Sequence, residues 1–380
     1  MLYILLFLGF FSSGHATTSP DEFVSVGSEG QVVEFRGVWV TRWSWKTESD
    51  VRRVLREVDA AGFNAVFFQV RGEFDAYYAS SIEPWAERLT GTLGKHPGWD
   101  PLAVAVDEAH RLGLELHAYI NVFPMWKARS TPPVQSTPSH AFLTNPEWEV
   151  RDPSNRGLVN AEQPYHFASP GNPEVRFRVA QVSADIASRY AVDGIHLDYI
   201  RYPAPSTSRD AVSRSRYDPS RSWEDWQRDQ IVATVAGVSA MVNVPVTAAV
   251  WGINENRWGW REVSQGRVDF YQDSHAFLKQ SVLDAIVPMM YWAVKKTPGD
   301  RLDFRTLLAD HLANSSGRHV YAGISAGLSY DQVVECIRVA RSQGAPGVVV
   351  FDYTQIRPFM LALKRDVFQV EASTPKMTWR

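Results

Sequence analysis

Residues 192–203, with the sequence VDGIHLDYIRYP, are the part of this chain best suited to carry chemistry. Successive side chains of a β-strand point to opposite faces, so His196 and Asp198 share one face of a strand here. A carboxylate on a buried face is costly unless it has a partner or a role. We therefore predict that Asp198 is a catalytic carboxylate, with a buried ion pair to Arg201 or Arg36 as the alternative.

Carboxylates that could act together with Asp198 occur near the ends of other predicted strands. They are Glu73 and Asp75 after the second strand and Glu255 after the fifth. Hydrolysis of a glycosidic bond uses two carboxyl groups: one protonates the leaving oxygen, and the other attacks the sugar or activates water. Asp198 with any one of these partners would meet that requirement.

Further polar and aromatic side chains are expected to line the same pocket. Inner-face positions carry amide, guanidinium and imidazole groups that can bind sugar hydroxyls, and some of the 14 tryptophans can offer flat faces to sugar rings. The predicted substrate-binding residues are Arg36, Trp39, Gln69, Arg71, Glu73, His117, Asn121, His196, Arg201, Tyr291, Trp292 and Asp352.

The histidines leave a second chemistry open. His196, Asp198, His117 and Asp352 could ligate a metal ion, as in metal-dependent barrel hydrolases. The usual paired-histidine strand motif is missing, however, and the first predicted strand supplies no histidine. We therefore expect no metal and no other cofactor.

The elements that must position these residues alternate between short β-branched runs and helical stretches with apolar residues at three- and four-residue spacing. Eight such units in about 330 residues predict an α/β fold, specifically a (β/α)₈ TIM barrel. A doubly wound open sheet is the alternative, but no glycine-rich phosphate loop follows the first strand. The predicted strands cover residues 35–41, 65–70, 115–122, 194–201, 244–251, 285–292, 320–325 and 347–353.

Local signals predict where several helices begin and end. Capping residues mark the starts and glycines mark the ends before the next strand. The start signals are Asp50, Asp100 with Pro101, Asn172 with Pro173, Ser222 and Ser329, and the stop signals are Gly62, Gly113 and Gly344.

Two connections are much longer than a βα unit needs. They span residues 123–172 after the third strand and residues 202–222 after the fourth. Loops that follow barrel strands emerge at the carboxyl ends of the strands, where barrel enzymes hold their active sites. We predict that these loops form a wall of the substrate cleft, although the stretch 131–140 could be a loose insertion.

Composition limits the partners and the location. A formal net charge of -3 gives no broad basic surface for nucleic acid, and a single cysteine, Cys336, excludes an intramolecular disulfide. Residues 1–16 resemble a signal peptide, with an apolar run followed by small residues, although no basic residue precedes the run. We expect an exported protein, periplasmic or extracellular, without stable membrane insertion, in which residues 30–370 form a single catalytic domain.

Several segments, taken in order, resemble proteins of glycosyl-hydrolase-like family 10. They are FRGVWV at 35–40, GFNAVFFQVR at 62–71, EPW at 83–85, LTG at 89–91, WDPL at 99–102, EAHRLGLELHA at 108–118, PGNPEVR at 170–176 and the segment 193–203. Together the matching segments fall within residues 34–360.

The resemblance implies a barrel related to the α-amylase and α-galactosidase groups, in which a nucleophilic aspartate stands at the end of the fourth strand. Asp198 occupies that position. In the amylase-like relatives an acid/base glutamate follows the fifth strand, which points to Glu255. Bacterial members of the family look like enzymes that cut the glycan strands of peptidoglycan, so the resemblance implies a glycosidase with a carbohydrate polymer as its partner.

Two segments depart from the family pattern. Residues 121–123 read Asn-Val-Phe where many members have Asn-Pro-Tyr-Arg, and residues 249–252 read Ala-Val-Trp-Gly where Ser-Pro-Phe-Gly is usual. These changes bear on the substrate and on Glu255 more than on the fold or Asp198. A carbohydrate-binding barrel without catalytic activity and a metal-dependent hydrolase are the alternative functions.

Overall fold

A computed structural model of the protein describes residues 32–127, 130–157, 165–205 and 207–380. The predicted signal peptide, residues 1–16, lies outside the described residues.

Eight parallel strands close into a barrel, which confirms the predicted (β/α)₈ fold. Each strand pairs with the next along the chain, and the eighth pairs with the first. A two-residue strand, His319–Val320, adds to the pairing on the sixth strand just before the seventh. The barrel strands are β1 (Phe35–Val40), β2 (Ala65–Arg71), β3 (Glu115–Asn121), β4 (Gly194–Asp198), β5 (Val246–Trp251), β6 (Ala285–Met289), β7 (Ala322–Ser325) and β8 (Gly347–Phe351).

Helices follow the strands along the chain and cover the outside of the barrel. The helices are α1 (Glu48–Ala60), α2 (Glu87–Thr90), α3 (Pro101–Arg111), α4 (Ala141–Thr144), α5 (Pro173–Arg189), α6 (Ala211–Arg216), α7 (Trp223–Met241), α8 (Gly266–Asp269), α9 (Ser274–Lys279), α10 (Phe304–Ala313), α11 (Tyr330–Ser342), α12 (Tyr353–Ile356) and α13 (Met360–Asp366). The structure also describes two 3₁₀ helices, Pro146–Trp148 and Arg357–Phe359. Two short strand pairs complete the described elements: Val32–Val33 pairs with Ala372–Ser373, and Pro124–Lys127 pairs with Tyr165–Phe167.

The predicted helix boundaries are confirmed at most positions. Asp100, Asn172, Ser222 and Ser329 each accept a hydrogen bond from a backbone N–H in the first turn of their helices. The exception is α1, because Thr47 rather than Asp50 is its cap. Asp50 is the third helical residue and completes a capping box with Thr47, so a residue that looked like the cap is its partner.

Three strands end at least two residues earlier at their carboxyl ends than the sequence predicts. β4 and β6 stop three residues short of the predicted ends, and β8 stops two residues short. At the end of β4 the reason is local: Tyr199 has a φ of 52°, which breaks the extended conformation immediately after Asp198. The residues beyond these strand ends belong to the loops that surround the mouth of the barrel.

The core has two layers, as expected for a barrel. Ile195 and Leu197 of β4 point outward and pack in the layer between the strands and the helices, as expected from their alternation with His196 and Asp198. The barrel interior is filled by aromatic and small apolar side chains from alternate strand positions. This inner layer contains Phe35, Trp39, Ala65, Phe67, Tyr119, Ala249, Ala285, Val287, Tyr321 and Val349.

The described parts of the two long loops are held by their own contacts and are joined to each other. The hairpin strands 124–127 and 165–167 give the first loop a framework. His140, at the end of the stretch suspected to be loose, is fully buried, and its Nε2 lies 2.8 Å from the carbonyl oxygen of Glu73. Ser169 of the first loop donates to Asp210 of the second at 2.8 Å, within a buried group of hydroxyls. The loops therefore form one connected wall.

A buried arginine, Arg71, holds the end of β2 to the end of β3 and to the loop after β2. Arg71 donates to both carboxylate oxygens of Glu83, at 2.7 and 2.6 Å, and the same guanidinium donates to the carbonyl oxygens of Asn121 and Val122. Both side chains of the ion pair are almost completely buried. The guanidinium also stacks 4.0 Å from the ring centre of Phe74. Arg71 is thus a structural cross-link.

We expect Arg71→Ala to lower the free energy of unfolding by about 3–5 kcal/mol, because it leaves the Glu83 carboxylate buried without a partner. Denaturant unfolding followed by circular dichroism measures the loss. Arg365→Ala, which removes an exposed ion pair with Asp366, is the control and should cost less than about 1 kcal/mol. A similar small loss in both variants would contradict the structural role of Arg71.

Candidate active site

A cavity of about 450 Å³ opens at the mouth of the barrel, where the carboxyl ends of the strands meet. Strand ends and loops from β1, β2, β3, β4, β6 and β8 contribute to its wall, which is the usual place for an active site in this fold. The lining residues are Thr41, Arg42, Trp43, Gln69, Tyr119, Asn121, Tyr165, Asp198, Tyr199, Arg201, Met289, Tyr291, Phe351, Asp352, Thr354 and Gln355.

Asp198, the last residue of β4, is held in this cavity by two hydrogen-bond donors and lies beside a guanidinium group. The hydroxyl of Tyr119 donates to Oδ2 at 2.7 Å, and the backbone N–H of Tyr199 donates to Oδ1 at 2.6 Å. Nη1 of Arg201 lies 3.6 Å from Oδ1. Only 7% of Asp198 is exposed, so these contacts fix the orientation of its carboxylate.

The turn after β4 also fixes the Arg201 side chain. Its guanidinium lies 4.4 Å from the ring centre of Tyr199 and 5.4 Å from that of Trp251. Stacking on two aromatic rings holds the cation beside Asp198 without a bidentate ion pair. The cavity therefore presents a positive group next to the carboxylate.

Asp352 brings a second carboxyl group to the same cavity. It follows the last residue of β8 and caps α12, accepting a hydrogen bond at 3.0 Å from the backbone N–H of Gln355. Burial raises the pKa of the Asp352 carboxyl, which favours the protonated form more than for an exposed aspartate. The cavity thus combines one carboxyl group held by hydrogen-bond donors with a second whose pKa burial raises, and acid-assisted glycoside cleavage uses two carboxyl groups in different environments.

Tyr291 lines the cavity within electrostatic reach of both carboxyl groups. Burial, followed by the charges of Asp198 and Asp352, raises the pKa of its phenol well above the usual value. The hydroxyl therefore remains protonated at neutral pH and can donate a hydrogen bond to a ligand. Its ring also stacks on Phe351, with ring centres 5.5 Å apart, so the site has an aromatic wall beside the carboxyl groups.

His196 lies beneath the cavity and supports it from inside the barrel. Its Nε2 accepts from Nε1 of Trp39 at 3.0 Å, and its Nδ1 lies 2.8 Å from the hydroxyl of Thr247. An indole N–H can only donate, so the ring proton is on Nδ1 and Thr247 accepts it. Complete burial lowers the pKa of His196 well below its usual value, which keeps the ring neutral. Both ring nitrogens are thus already in use.

Arg42 connects the cavity to a buried carboxyl pair behind it. Its Nη2 donates to Glu73 at 2.6 Å and to the hydroxyl of Tyr165 at 3.2 Å, and its backbone N–H donates to the side chain of Gln69. Burial and the neighbouring Asp75 raise the pKa of Glu73 to about 7, and they outweigh the opposing effect of Arg42. Glu73 is therefore a titratable group behind the wall and does not itself line the cavity.

Six of the predicted site residues come together in the cavity. They are Asp198, Gln69, Asn121, Arg201, Tyr291 and Asp352. The others do not reach it. Trp39, His117 and His196 lie deeper in the barrel. Three charged residues have partners outside the cavity: Arg36 binds Glu34 on the outer side of β1, Arg71 binds Glu83, and Glu73 lies behind Arg42. Trp292 packs against the outer core.

Glu255 is not brought to Asp198. It lines a separate cavity of about 490 Å³, where its carboxylate lies 3.4 Å from Arg267 and 4.0 Å from Arg257. The loop after β5 folds back on its own stem, with Arg267 donating from its backbone N–H to the carbonyl of Asn254. Glu255 thus lines this separate cavity and does not line the one that holds Asp198. Asp352 therefore replaces it as the candidate partner of Asp198.

Strand alternation predicts that Tyr119 shares the inner face of β3 with Asn121, and Tyr119 does line the cavity. The same alternation puts Tyr199 on the outer face of β4, and this expectation fails because the positive φ of Tyr199 ends the strand. Tyr165 lies in the long loop after β3, and nothing in the local sequence signals that it returns to the cavity.

The four proposed metal ligands do not meet as one set, because Asp198 and Asp352 share the cavity while the two histidines lie deeper in the barrel. His196 uses both ring nitrogens inside the barrel, and His117 lies 3.3 Å from Glu115. In the part of the chain that the structure describes, no group of three or more His, Cys, Asp or Glu side chains is arranged to hold a metal ion. In the same ranges, no helix combines the length and apolar character needed to cross a membrane.

A closed (β/α)₈ barrel with two carboxyl groups, arginines and aromatic rings at its mouth is the arrangement found in barrel glycoside hydrolases. The sequence agrees, since residues 34–340 match the profile of the family described as Glycosyl hydrolase-like 10. The chain belongs to this family.

Two curated relatives and one solved structure illustrate the similarity. Glycosyl hydrolase YngK of Bacillus subtilis is 26% identical over 77% of this chain and 61% of its own length. Glycosyl hydrolase DigH of Escherichia coli is 27% identical over 69% of this chain and 66% of its own length. The chain thus matches somewhat less than two thirds of each relative. The glycoside hydrolase domain of PgaB (BpsB) from Bordetella bronchiseptica has a similar fold, with a TM-score of 0.64, 14% identity, and coverage of 88% of this chain and 99% of that domain.

The raised pKa of Glu73 predicts a change in stability with pH. A carboxyl group whose pKa is higher in the folded protein contributes stability below its unfolded pKa, and that contribution is lost as the pH rises to about 7. We expect Glu73→Gln, which resembles the protonated acid, to gain thermal stability relative to the wild type between about pH 5 and pH 8. Melting temperatures of both proteins across this range test the expectation.

The control for this experiment is Glu48→Gln, which changes an exposed carboxylate in the first turn of α1. Its difference from the wild type should not change appreciably over the same pH range. If Glu73→Gln instead became less stable than the wild type as the pH rose, the ion pair with Arg42 would dominate over burial.

Proposed function

We propose that this protein is a glycoside hydrolase that cleaves O-glycosidic bonds in a bacterial polysaccharide, most specifically the glycan strands of peptidoglycan. The observation that carries the proposal is the placement of Asp198 and Asp352 in one cavity at the mouth of the barrel. Their environments differ, since donors surround the first and burial raises the pKa of the second.

The two carboxyl groups have different roles in the proposed reaction. The acid form of Asp352 protonates the oxygen of the bond that breaks, so the leaving sugar departs as a neutral alcohol. The ionised Asp198 faces the anomeric carbon, where positive charge develops as that bond lengthens. Tyr119 and Arg201 keep the Asp198 carboxylate oriented. Tyr291 can donate a hydrogen bond to the sugar between the two carboxyl groups.

The polysaccharide class rests on sequence. Family resemblance implies activity on peptidoglycan strands, and the curated relatives in Bacillus subtilis and Escherichia coli are named glycosyl hydrolases. Residues 1–16 predict export, which would bring the protein to the cell wall. The polar groups Gln69 and Asn121, together with the aromatic walls of the cavity, suit the hydroxyls and apolar faces of sugar rings.

The direct test is incubation of the purified protein with peptide-free murein glycan strands and identification of the products by mass spectrometry. We expect shorter glycans with new reducing ends. Asp198→Asn and Asp352→Asn should each lower kcat/KM by roughly 10²–10⁴-fold, because each removes a charge or proton needed in the transition state.

Glu255→Gln is the matched control, since this carboxylate lines a different cavity and contacts Arg267. Its turnover should stay close to that of the wild type. Full activity of folded Asp198→Asn would refute the proposed site. Binding of glycan strands by the wild type, with no release of reducing ends, would instead support a carbohydrate-binding barrel.

A further inference from the structure

Trp43 is an exposed aromatic residue at the rim of the active-site cavity. It follows β1 by three residues, lines the edge of the cavity and is 61% exposed, which leaves much of its indole accessible. Isolated exposed aromatics occur on many proteins, so exposure alone indicates no function. The contacts that hold this side chain distinguish it.

Two arginines lie against the Trp43 ring. The guanidinium carbons of Arg42 and Arg88 are 4.8 and 4.5 Å from the indole ring centre. Arg88 also donates to the carbonyl oxygen of Arg42 at 2.8 Å, so the two cations are themselves held in place. Stacking of this kind restricts the ring while leaving its remaining surface open. The indole is thus oriented before any ligand arrives.

The residues that hold the Trp43 ring are themselves held by contacts with buried residues behind the cavity wall. Arg42 is fixed by its contacts with Glu73 and Tyr165, and Ser44, next to Trp43, lies 3.2 Å from the hydroxyl of Thr354 across the rim. Thr354 lines the cavity two residues after Asp352. The indole and the proposed catalytic carboxyl group therefore belong to one connected rim.

The size of the cavity bears on what the Trp43 ring could bind. At about 450 Å³ it lies toward the lower end of the usual range for ligand pockets, roughly 300–1,000 Å³. A glycan of several sugars would extend beyond it across the rim. The apolar face of a sugar ring leaving the cavity on the Trp43 side would meet the exposed indole.

We propose that Trp43 forms an outer sugar-binding subsite, on which a ring of the same glycan chain stacks while neighbouring sugars occupy the cavity at Asp198. This inference rests on the proposed glycoside hydrolase function and specifies its substrate class. The preferred ligand is a chain of several sugars that crosses the rim, and a terminal mono- or disaccharide would use only the cavity.

The test measures how binding depends on chain length. All proteins carry Asp198→Asn so that the ligands stay intact, and calorimetry is performed with two ladders of about two to eight sugars, peptide-free murein fragments and chitin oligomers. Affinity should rise with length until the chain reaches Trp43. Trp43→Ala should weaken binding of the longest members by about 3- to 10-fold, with a smaller effect on the shortest.

Trp43→Phe should recover part of the lost affinity, because a smaller aromatic face remains. Phe177→Ala is the matched control, since Phe177 is 57% exposed on α5 and does not line this cavity. It should preserve the length dependence.

The outcomes separate the two proposals. If Trp43→Ala weakened all lengths equally, or left the longest chains unaffected, the outer subsite would be refuted while glycan binding stood. If the protein without Trp43 or Asp198 substitutions neither bound nor cleaved any member of either ladder, both the subsite and the proposed function would be rejected. Circular dichroism confirms that each variant is folded.

Discussion

The structure around the cavity depends on the need to bury the carboxylate of Asp198 at the end of β4, a residue that is only 7% exposed. Such a group must find donors, and here they come from two parts of the barrel mouth: the Tyr119 hydroxyl on β3 and the Tyr199 backbone N–H in the turn after β4. The Arg201 guanidinium adds a positive charge 3.6 Å from the carboxylate. The positive φ of Tyr199 is part of this solution, because the turn brings its N–H and the following arginine toward Asp198. The parallel pairing of β3 and β4 aligns Asn121 with Asp198, so the barrel itself sets the distances.

Arginines perform two distinct tasks around this centre. Arg71 lies in the interior of the structure, where Glu83 and two carbonyl oxygens satisfy it and tie strand ends together. Arg42 and Arg201 instead reach the cavity, and both lie against aromatic rings. The rim is therefore stiffened by cation–π contacts and buried ion pairs behind it, which suits a site that must hold two carboxyl groups in different environments. Glu73 links the buried interior to the rim of the cavity, because its carboxyl group is buried and binds Arg42, which lines the cavity.

Much of the barrel could be predicted because its signals are local. All eight strands and four of the five proposed caps follow from short-range patterns of apolar residues and capping side chains, and the inner-face assignment of Asp198, Gln69 and Asn121 follows from strand alternation. The same reasoning went wrong where alternation stopped. Tyr199 turns into the cavity, and Arg36 and Arg71, which look like ligand-binding cations in the sequence, are bound by Glu34 and Glu83. A sequence pattern identifies a charged residue, but its partner can be far along the chain.

Periodicity and contiguous motifs were enough to predict the parallel barrel, the position of Asp198 at a strand end and the family to which the chain belongs. They were not enough to predict which second carboxyl group shares the cavity, and the folded chain settles that point. Glu255 and Asp352 both follow barrel strands, but the loop after β5 folds back toward Arg267, whereas α12 begins directly after Asp352 and holds it at the mouth. Loop direction depends on contacts between distant segments, and strand periodicity contains no information about it.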